Sequence, residues 1–187
     1  MLSDLSRKGL TIKSGWLTQV EKLPSPHFSP REKNDEISLL VIHNISLPAG
    51  QYSGNYISDL FLGCLDCNAD ESFTDLRGVR VSAHCLIRRN GSIIQYVSFN
   101  DKAWHAGVSS YQGSDNCNDF SIGIELEGAD DIPYTQEQYY ALALLTKTLQ
   151  QSYPEIQNNI TGHSDIAPQR KTDPGEAFNW QHFYDCL

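Results

Sequence analysis

The chain lacks a long hydrophobic run, an excess of positive charge and any internal repeat, and each absence excludes a class. No apolar stretch approaches the roughly 20 residues that cross a bilayer, so no membrane-spanning role is expected. Lys and Arg number 14 against 23 Asp and Glu, for a formal net charge of −9 and a pI near 5.0. A nucleic-acid binder normally carries a basic face, and docking on anionic membranes also needs positive charge, so neither partner is expected. A small anionic substrate stays open, because local arginines outweigh a net field. The first ten residues lack a charged segment followed by an apolar one, the pattern of a secretory signal. A cytoplasmic location is the expectation.

Cysteine is sparse and odd in number, with five scattered at 64, 67, 85, 117 and 186. These read as thiols in a reducing compartment rather than a disulfide framework. Cys64-x-x-Cys67 has the spacing of a metal or redox pair, but no second pair stands at zinc-ribbon distance, which favours the ordinary reading. The helical H-E-x-x-H pattern of common zinc peptidases is absent as well.

What is present fits one domain over residues 1–187, long enough to bury a substantial core. Residues 1–37 read as an irregular N-terminal arm, rich in Pro and charge over 21–37. Residues 38–43 form a short apolar run with Val and Ile, consistent with a buried strand. A short helix is expected around 56–62. Residues 79–97 read as a hairpin in which Asn90-Gly91 supplies the positive backbone angles of a tight turn. Residues 120–126 give another strand. Thr135 and Gln138 form a capping-box pattern opening a helix, along which Leu142, Leu145 and Leu149 share one face until Pro154 ends it. Residues 159–163 give a last short strand. Strands mixed with helices predict an α/β fold, a single domain with a central mixed β-sheet flanked by α-helices.

The candidate chemistry gathers at strand ends. His43 closes the first apolar run, and a loop-rich segment from Thr161 to Gly175 holds His163, Lys171 and Asp173. Two histidines and an aspartate are three ligands, the number that catalytic zinc sites take from protein while leaving a fourth position for water. Glu125 stands near the end of another strand, with Glu127 on the same face if that strand is regular. Taken singly, each residue has an ordinary alternative. A strand-end histidine is more often structural, Asp173 before Pro174-Gly175 could start a turn, and Lys171 could be a solvated surface lysine. Spacing alone leaves these readings open.

Five separated blocks narrow them. Val41-Ile42-His43-Asn44-Ile45-Ser46, Arg80 through Ile87, Ala103-Trp104-His105-Ala106-Gly107, Phe120 through Glu125, and Thr161-Gly162-His163 through Asp173-Pro174-Gly175 resemble, in that order, the bacterial AmpD amidases. These are zinc-dependent N-acetylmuramoyl-L-alanine amidases that share a fold with phage lysozyme amidases and animal peptidoglycan recognition proteins. The resemblance runs from about residue 16 to about residue 182. It implies one zinc ion per chain held by His43, His163 and Asp173, which would bring the pKa of bound water from about 15.7 toward about 7. It implies that Glu125 is general base and later general acid, and that Lys171 stabilises the oxyanion. Asn44, Arg80, Trp104 and Arg170 are implied substrate contacts, the arginines as planar forks for carboxylates and Trp104 against a sugar ring. His84 and His105 are expected to line the cleft or pack beneath it, and His27 and His182 to be structural or solvent-facing.

The implied reaction is hydrolysis of the amide between the lactyl group of 1,6-anhydro-N-acetylmuramic acid and L-alanine, in cytoplasmic recycling of muropeptides. Family inference links that step to β-lactamase induction. The expected partner is the small muropeptide, and nothing suggests an obligate assembly, so a monomer is expected. The alternatives are a muropeptide-binding module without hydrolysis, a broader amidase acting on intact wall, and a zinc peptidase cutting within the stem. The chain departs from the family pattern in an extended arm before Trp16, a short tail after Trp180, and a less basic Ser114-Asp115-Asn116.

Overall fold

The computed structural model describes residues 9–33 and 35–187. Most of the N-terminal stretch that lacks the secretory pattern therefore lies outside the described residues. In chain order the strands open with β1 (Ile12–Lys13), β2 (Trp16–Leu17), β3 (Glu21–Lys22), β4 (Phe28–Pro30) and β5 (Leu39–Ile45). Helix α1 (Tyr56–Phe61) and a 3-10 turn (Glu71–Leu76) precede β6 (Cys85–Ile87), β7 (Ile93–Gln95) and β8 (Asp101–Ala103). Next come β9 (Ser110–Tyr111), β10 (Ser114–Asp115), β11 (Ser121–Glu127) and helix α2 (Gln136–Ser152). The chain finishes with β12 (Ile160–Gly162), the single turn α3 (His163–Ile166) and α4 (Trp180–Cys186).

Six strands form one sheet in the order β12-β5-β11-β6-β7-β3. The pairs β12–β5, β5–β11, β11–β6 and β7–β3 are parallel, and β6–β7 is antiparallel, so the sheet is mixed. Alternation along the central strands sorts the side chains onto two faces. Leu40 and Ile42 of β5 and Ile122, Ile124 and Leu126 of β11 pack with Leu142, Leu145 and Leu149 of α2 and Phe183 of α4. All three leucines are fully buried, and burying such a side chain contributes about 1.5–3 kcal/mol. The opposite face carries Leu39 and Val41, packed with Ala106 and Ile166. By the same alternation His43, Ser121, Gly123, Glu125 and Glu127 point there. Helix α2 begins as the sequence predicts, with Thr135 Oγ1 accepting from Gln138 N and Gln138 Oε1 accepting from Thr135 N.

Two expectations need correction. The N-terminal arm is not irregular throughout: β3 extends the main sheet beside β7, β4 pairs with β8, and Arg31 donates to the carbonyls of Phe99, Asn118, Asp119 and Ser121. Strands this short carry no periodicity of their own, and their partners lie far along the chain. The hairpin strand also begins at Cys85, because Ser82 is instead tied to Trp104 through both its backbone N–H and its hydroxyl. Only Gly91 of the turn has positive φ, at 77°. Gly91 N donates to Arg88 O, and Arg88 N to Ser92 O, so a type I turn closes on a left-handed glycine.

Candidate active site

Three adjacent parallel strands deliver the central residues. His43 lies on β5, Glu125 is its register partner on β11, and His163 directly follows β12. The turn into His163 is held by Asp165, whose Oδ2 accepts from Thr161 Oγ1 at 2.7 Å and Gly162 N at 3.0 Å. Asp173 returns to this point because Ser164 N donates to its carbonyl. Just beyond it, Pro174 O accepts from the Tyr134 hydroxyl at 2.7 Å. Gly175, at φ 82°, passes so close to Asp130 that any Cβ there would overlap the Asp130 backbone.

These constraints bring three atoms together. His43 Nδ1 and His163 Nδ1 are 3.0 Å apart, and Asp173 Oδ2 lies 3.0 Å from the first and 3.1 Å from the second. The three residues could hold a metal ion. His163 Nε2 is 3.1 Å from Ala106 O. A carbonyl only accepts, so a proton on Nε2 would be satisfied there, and with an ion in place of the Asp173 hydrogen bond Nδ1 would be the ligating lone pair. Burial drives His43 down to about 4, against the pull of Asp173, so its ring is neutral near pH 7. Burial pushes the Asp173 carboxyl upward, but hydrogen bonds from His163 and His43 outweigh it and hold the group below its ordinary range. Neutral imidazoles and an ionised carboxylate are the protonation states that metal ligation requires.

Glu125 is 9% exposed, and its Oε2 is buried without a hydrogen-bond partner. Burial first, and the nearby Asp173 second, push its carboxyl well above the ordinary range, while Lys171 opposes them. A carboxylate beside these three residues with its Oε2 uncommitted suits proton transfer. Glu127 has a different task. Its Oε1 accepts from Ser53 N at 2.7 Å and its Oε2 from Arg89 N at 3.0 Å, which ties down two loops.

An open cleft of about 500 Å³ leads to the site, lined by Asn44, Ala129, Asp130, Arg170, Lys171 and Asp173 among others. Asn44 Nδ2 donates to Asp130 Oδ1 at 2.8 Å. Arg170 Nη2 donates to the carbonyls of Ala106 and Val108 at 2.6 and 2.9 Å. Arg80 lines a different, smaller cavity with His27 and Cys67. Trp104 stacks on His27, with centroids 6.0 Å apart and planes at 12°, and donates to Ser29 Oγ. The structure thus groups Asn44, Arg170 and Lys171 in the cleft with Asp173 and sets Arg80 and Trp104 beside His27. His84 lies fully buried under the sheet, with Nδ1 accepting from Gly123 N at 3.0 Å. His105 packs beneath His43, its Nδ1 2.9 Å from His43 Nε2. Sequence reasoning placed His105 only as lining or packing. The alternation Ser121-x-Gly123-x-Glu125 is the signal that could have located it, since a glycine among buried strand positions marks a close approach.

Comparison with known proteins agrees with this architecture. The family model described as N-acetylmuramoyl-L-alanine amidase matches residues 33–176. The chain is 57% identical over 169 residues to the 1,6-anhydro-N-acetylmuramyl-L-alanine amidase AmpD of Salmonella typhimurium (strain SL1344), covering 90% of each. A crystal structure of a selenomethionine AmpD derivative superposes with a TM-score of 0.92 at 55% identity, over 94% of this chain and 98% of that one. The Escherichia coli amidase AmiD, solved with the substrate anhydro-N-acetylmuramic acid-L-Ala-D-γ-Glu-L-Lys, superposes with a TM-score of 0.58 at 32% identity, over 96% of this chain and 66% of that one. The chain belongs to the N-acetylmuramoyl-L-alanine amidase family, alongside the AmpD enzymes.

Proposed function

We propose that the protein is a zinc-dependent amidase that hydrolyses the bond between the lactyl group of 1,6-anhydro-N-acetylmuramic acid and the L-alanine of its stem peptide. The observation that carries this reading is the convergence of His43, His163 and Asp173 beside a buried Glu125 whose Oε2 has no partner, in a chain more than half identical to AmpD enzymes. The donor set fits zinc. Ligand distances near 2.1 Å around a tetrahedral zinc would separate the ligand atoms by roughly 3.4 Å, so the 3.0–3.1 Å triangle would need to open only slightly.

When bound, zinc supplies Lewis-acid polarisation of the carbonyl and acidifies water. This chain's residues do the rest. Glu125, ionised, accepts a proton from the attacking water as the new C–O bond forms. It then returns that proton to the alanine nitrogen as the C–N bond breaks, leaving a lactyl carboxylate and a free peptide amine. The Lys171 ammonium faces the oxyanion that develops on the scissile carbonyl. Asn44 and Arg170 line the approach, and Arg80 and Trp104 serve more distant parts of the substrate.

The protein acts as a monomer in the cytoplasm, recycling wall-turnover muropeptides and so limiting those that induce β-lactamase. No described helix is long and apolar enough to cross a membrane, which is compatible with that setting. The experiment is turnover of 1,6-anhydro-N-acetylmuramoyl-tripeptide by purified protein, read by mass spectrometry. Peptide release should stop on chelation and return with zinc, and should exceed release from the non-anhydro sugar. Retention of intact muropeptide by zinc-loaded protein without cleavage would refute it.

A further inference from the structure

The two histidine ligands are braced from behind by consecutive residues of one loop. His105 meets His43 through its side chain, with Nδ1 2.9 Å from His43 Nε2 and the rings at 84°. Ala106 meets His163 through its carbonyl, 3.1 Å from His163 Nε2. The loop is itself pinned. Asn118 Oδ1 accepts from both His105 N and Ala106 N, at 3.2 and 2.9 Å. The His105 ring lies against bare backbone of β11, where a Cβ at Gly123 would overlap it. Its far nitrogen, Nε2, lies 3.2 Å from Ser121 Oγ.

Hydrogen-bond accounting gives this arrangement a direction. A ligating His43 Nδ1 must be a lone pair, so a neutral His43 carries its proton on Nε2. That proton points at His105 Nδ1, which must then accept. A neutral His105 accepting at Nδ1 carries its own proton on Nε2, directed at Ser121 Oγ. Metal-ligating imidazoles commonly have their second nitrogen fixed in this way by a carboxylate, carbonyl or water, which sets the tautomer and ring orientation. Here a second imidazole does it.

We infer that His105 is a positioning residue for zinc, holding His43 as the tautomer whose Nδ1 is free to ligate, with Ser121 orienting His105 in turn. The inference rests on the zinc-site reading above. The role is separate from proton transfer to substrate, because His105 lies on the side of His43 away from the ligating nitrogen.

The test is zinc affinity, measured by competition with a chromogenic chelator, for wild type, His105→Phe and His105→Asn. Phenylalanine fills the space without an acceptor, whereas asparagine can return an oxygen near the position of Nδ1. Loss of such a partner typically costs about 10–100-fold in metal affinity. His105→Phe should show that loss and His105→Asn should recover most of it, with metal-free unfolding temperatures close to wild type. Wild-type affinity in a folded His105→Phe would overturn the inference. Absence of zinc binding by the wild type would overturn the zinc reading and this inference with it. If the phenylalanine variant does not fold, nitrogen-15 NMR of zinc-loaded wild type decides. His105 should be the Nε2–H tautomer with an accepting Nδ1, and an Nδ1–H tautomer there would overturn the assignment.

Discussion

The Asp173 carboxylate lies 3.0 Å from Nδ1 of His43 across 130 positions of sequence. An ion held between them would join the second half of the main sheet's first central strand to the last loop before α4. It would bind the folded chain and have little to hold in the unfolded one, so it should stabilise by mass action. At free zinc about a thousandfold above its dissociation constant, that linkage is worth about 4 kcal/mol. A domain of this size gains roughly 2–4 °C in Tm per kcal/mol. Chelation should therefore lower the Tm by on the order of 10 °C, as read by calorimetry. His163→Ala and Asp173→Ala should already sit at the chelated value and no longer respond to zinc.

Glu125→Gln keeps size and shape but removes the exchangeable proton site. Turnover should fall by about 10²–10⁴-fold, while zinc content measured by atomic absorption stays at one per chain. In the wild type the base must be ionised. Burial and Asp173 raise its pKa, so kcat/KM should climb with pH through a limb lying above the ordinary carboxylate range. A limb at the ordinary Glu position would contradict the assignment.

Lys171 is exposed and near Glu125, whose pKa it lowers. Replacing it with Ala should have two effects. Removing an oxyanion-stabilising group costs about 10²–10³-fold in kcat, with KM and zinc content little changed. Removing the cation also lets the Glu125 pKa rise further, so the acid limb of the pH profile should move to higher pH. A loss in kcat with no such shift would separate Lys171 from Glu125.

His84 makes a prediction about stability. Burial, and then the charge of Arg31, drive its pKa down to about 3, against about 6.5 in an unfolded chain. Below pH 6.5 the unfolded state binds a proton that the folded state refuses, so stability falls as pH falls, at about 1.4 kcal/mol per pH unit for this group. Because the raised Glu125 carboxyl contributes with the opposite sign, the measurement is made on metal-free Glu125→Gln, whose urea unfolding should show a loss of about 2 kcal/mol or more between pH 6.5 and pH 5. His43, lowered to about 4, adds to it in the same direction. Equal stability at the two pH values would show that His84 charges within the fold.

Much of this was legible in the residues, and the reasons differ by element. β5, β11 and α2 announce themselves through patterns that each completes locally: an apolar run, an alternation, a capping box with leucines at helical spacing. The grouping of His43, His163 and Asp173 was legible only through the resemblance, since nothing local in His43 points to Asp173. The short strands β1 to β4 were not legible, because two or three residues hold no period; β1 and β2 hold only each other, and β3 and β4 depend on the distant β7 and β8. The different surroundings of Arg80 and Arg170 were hidden for a related reason. Both are arginines in a matching block, and only the packing of His27 and Ala106 tells them apart.

The reactive groups on β5 and β11, and His163 just past β12, are spaced by neighbouring rungs of one hydrogen-bonded ladder. The ruler is the interstrand repeat of about 4.8 Å, a property of backbone that no exposed side chain can alter. The cleft that leads to the reactive groups is walled largely by loop residues, among them Ala129, Asp130, Arg170 and Lys171. Backbone pairing thus sets the spacing of these groups, and loops border what reaches them. Substitutions among those loop residues other than Lys171 that leave the ladder intact should therefore change KM for the muropeptide before they change kcat.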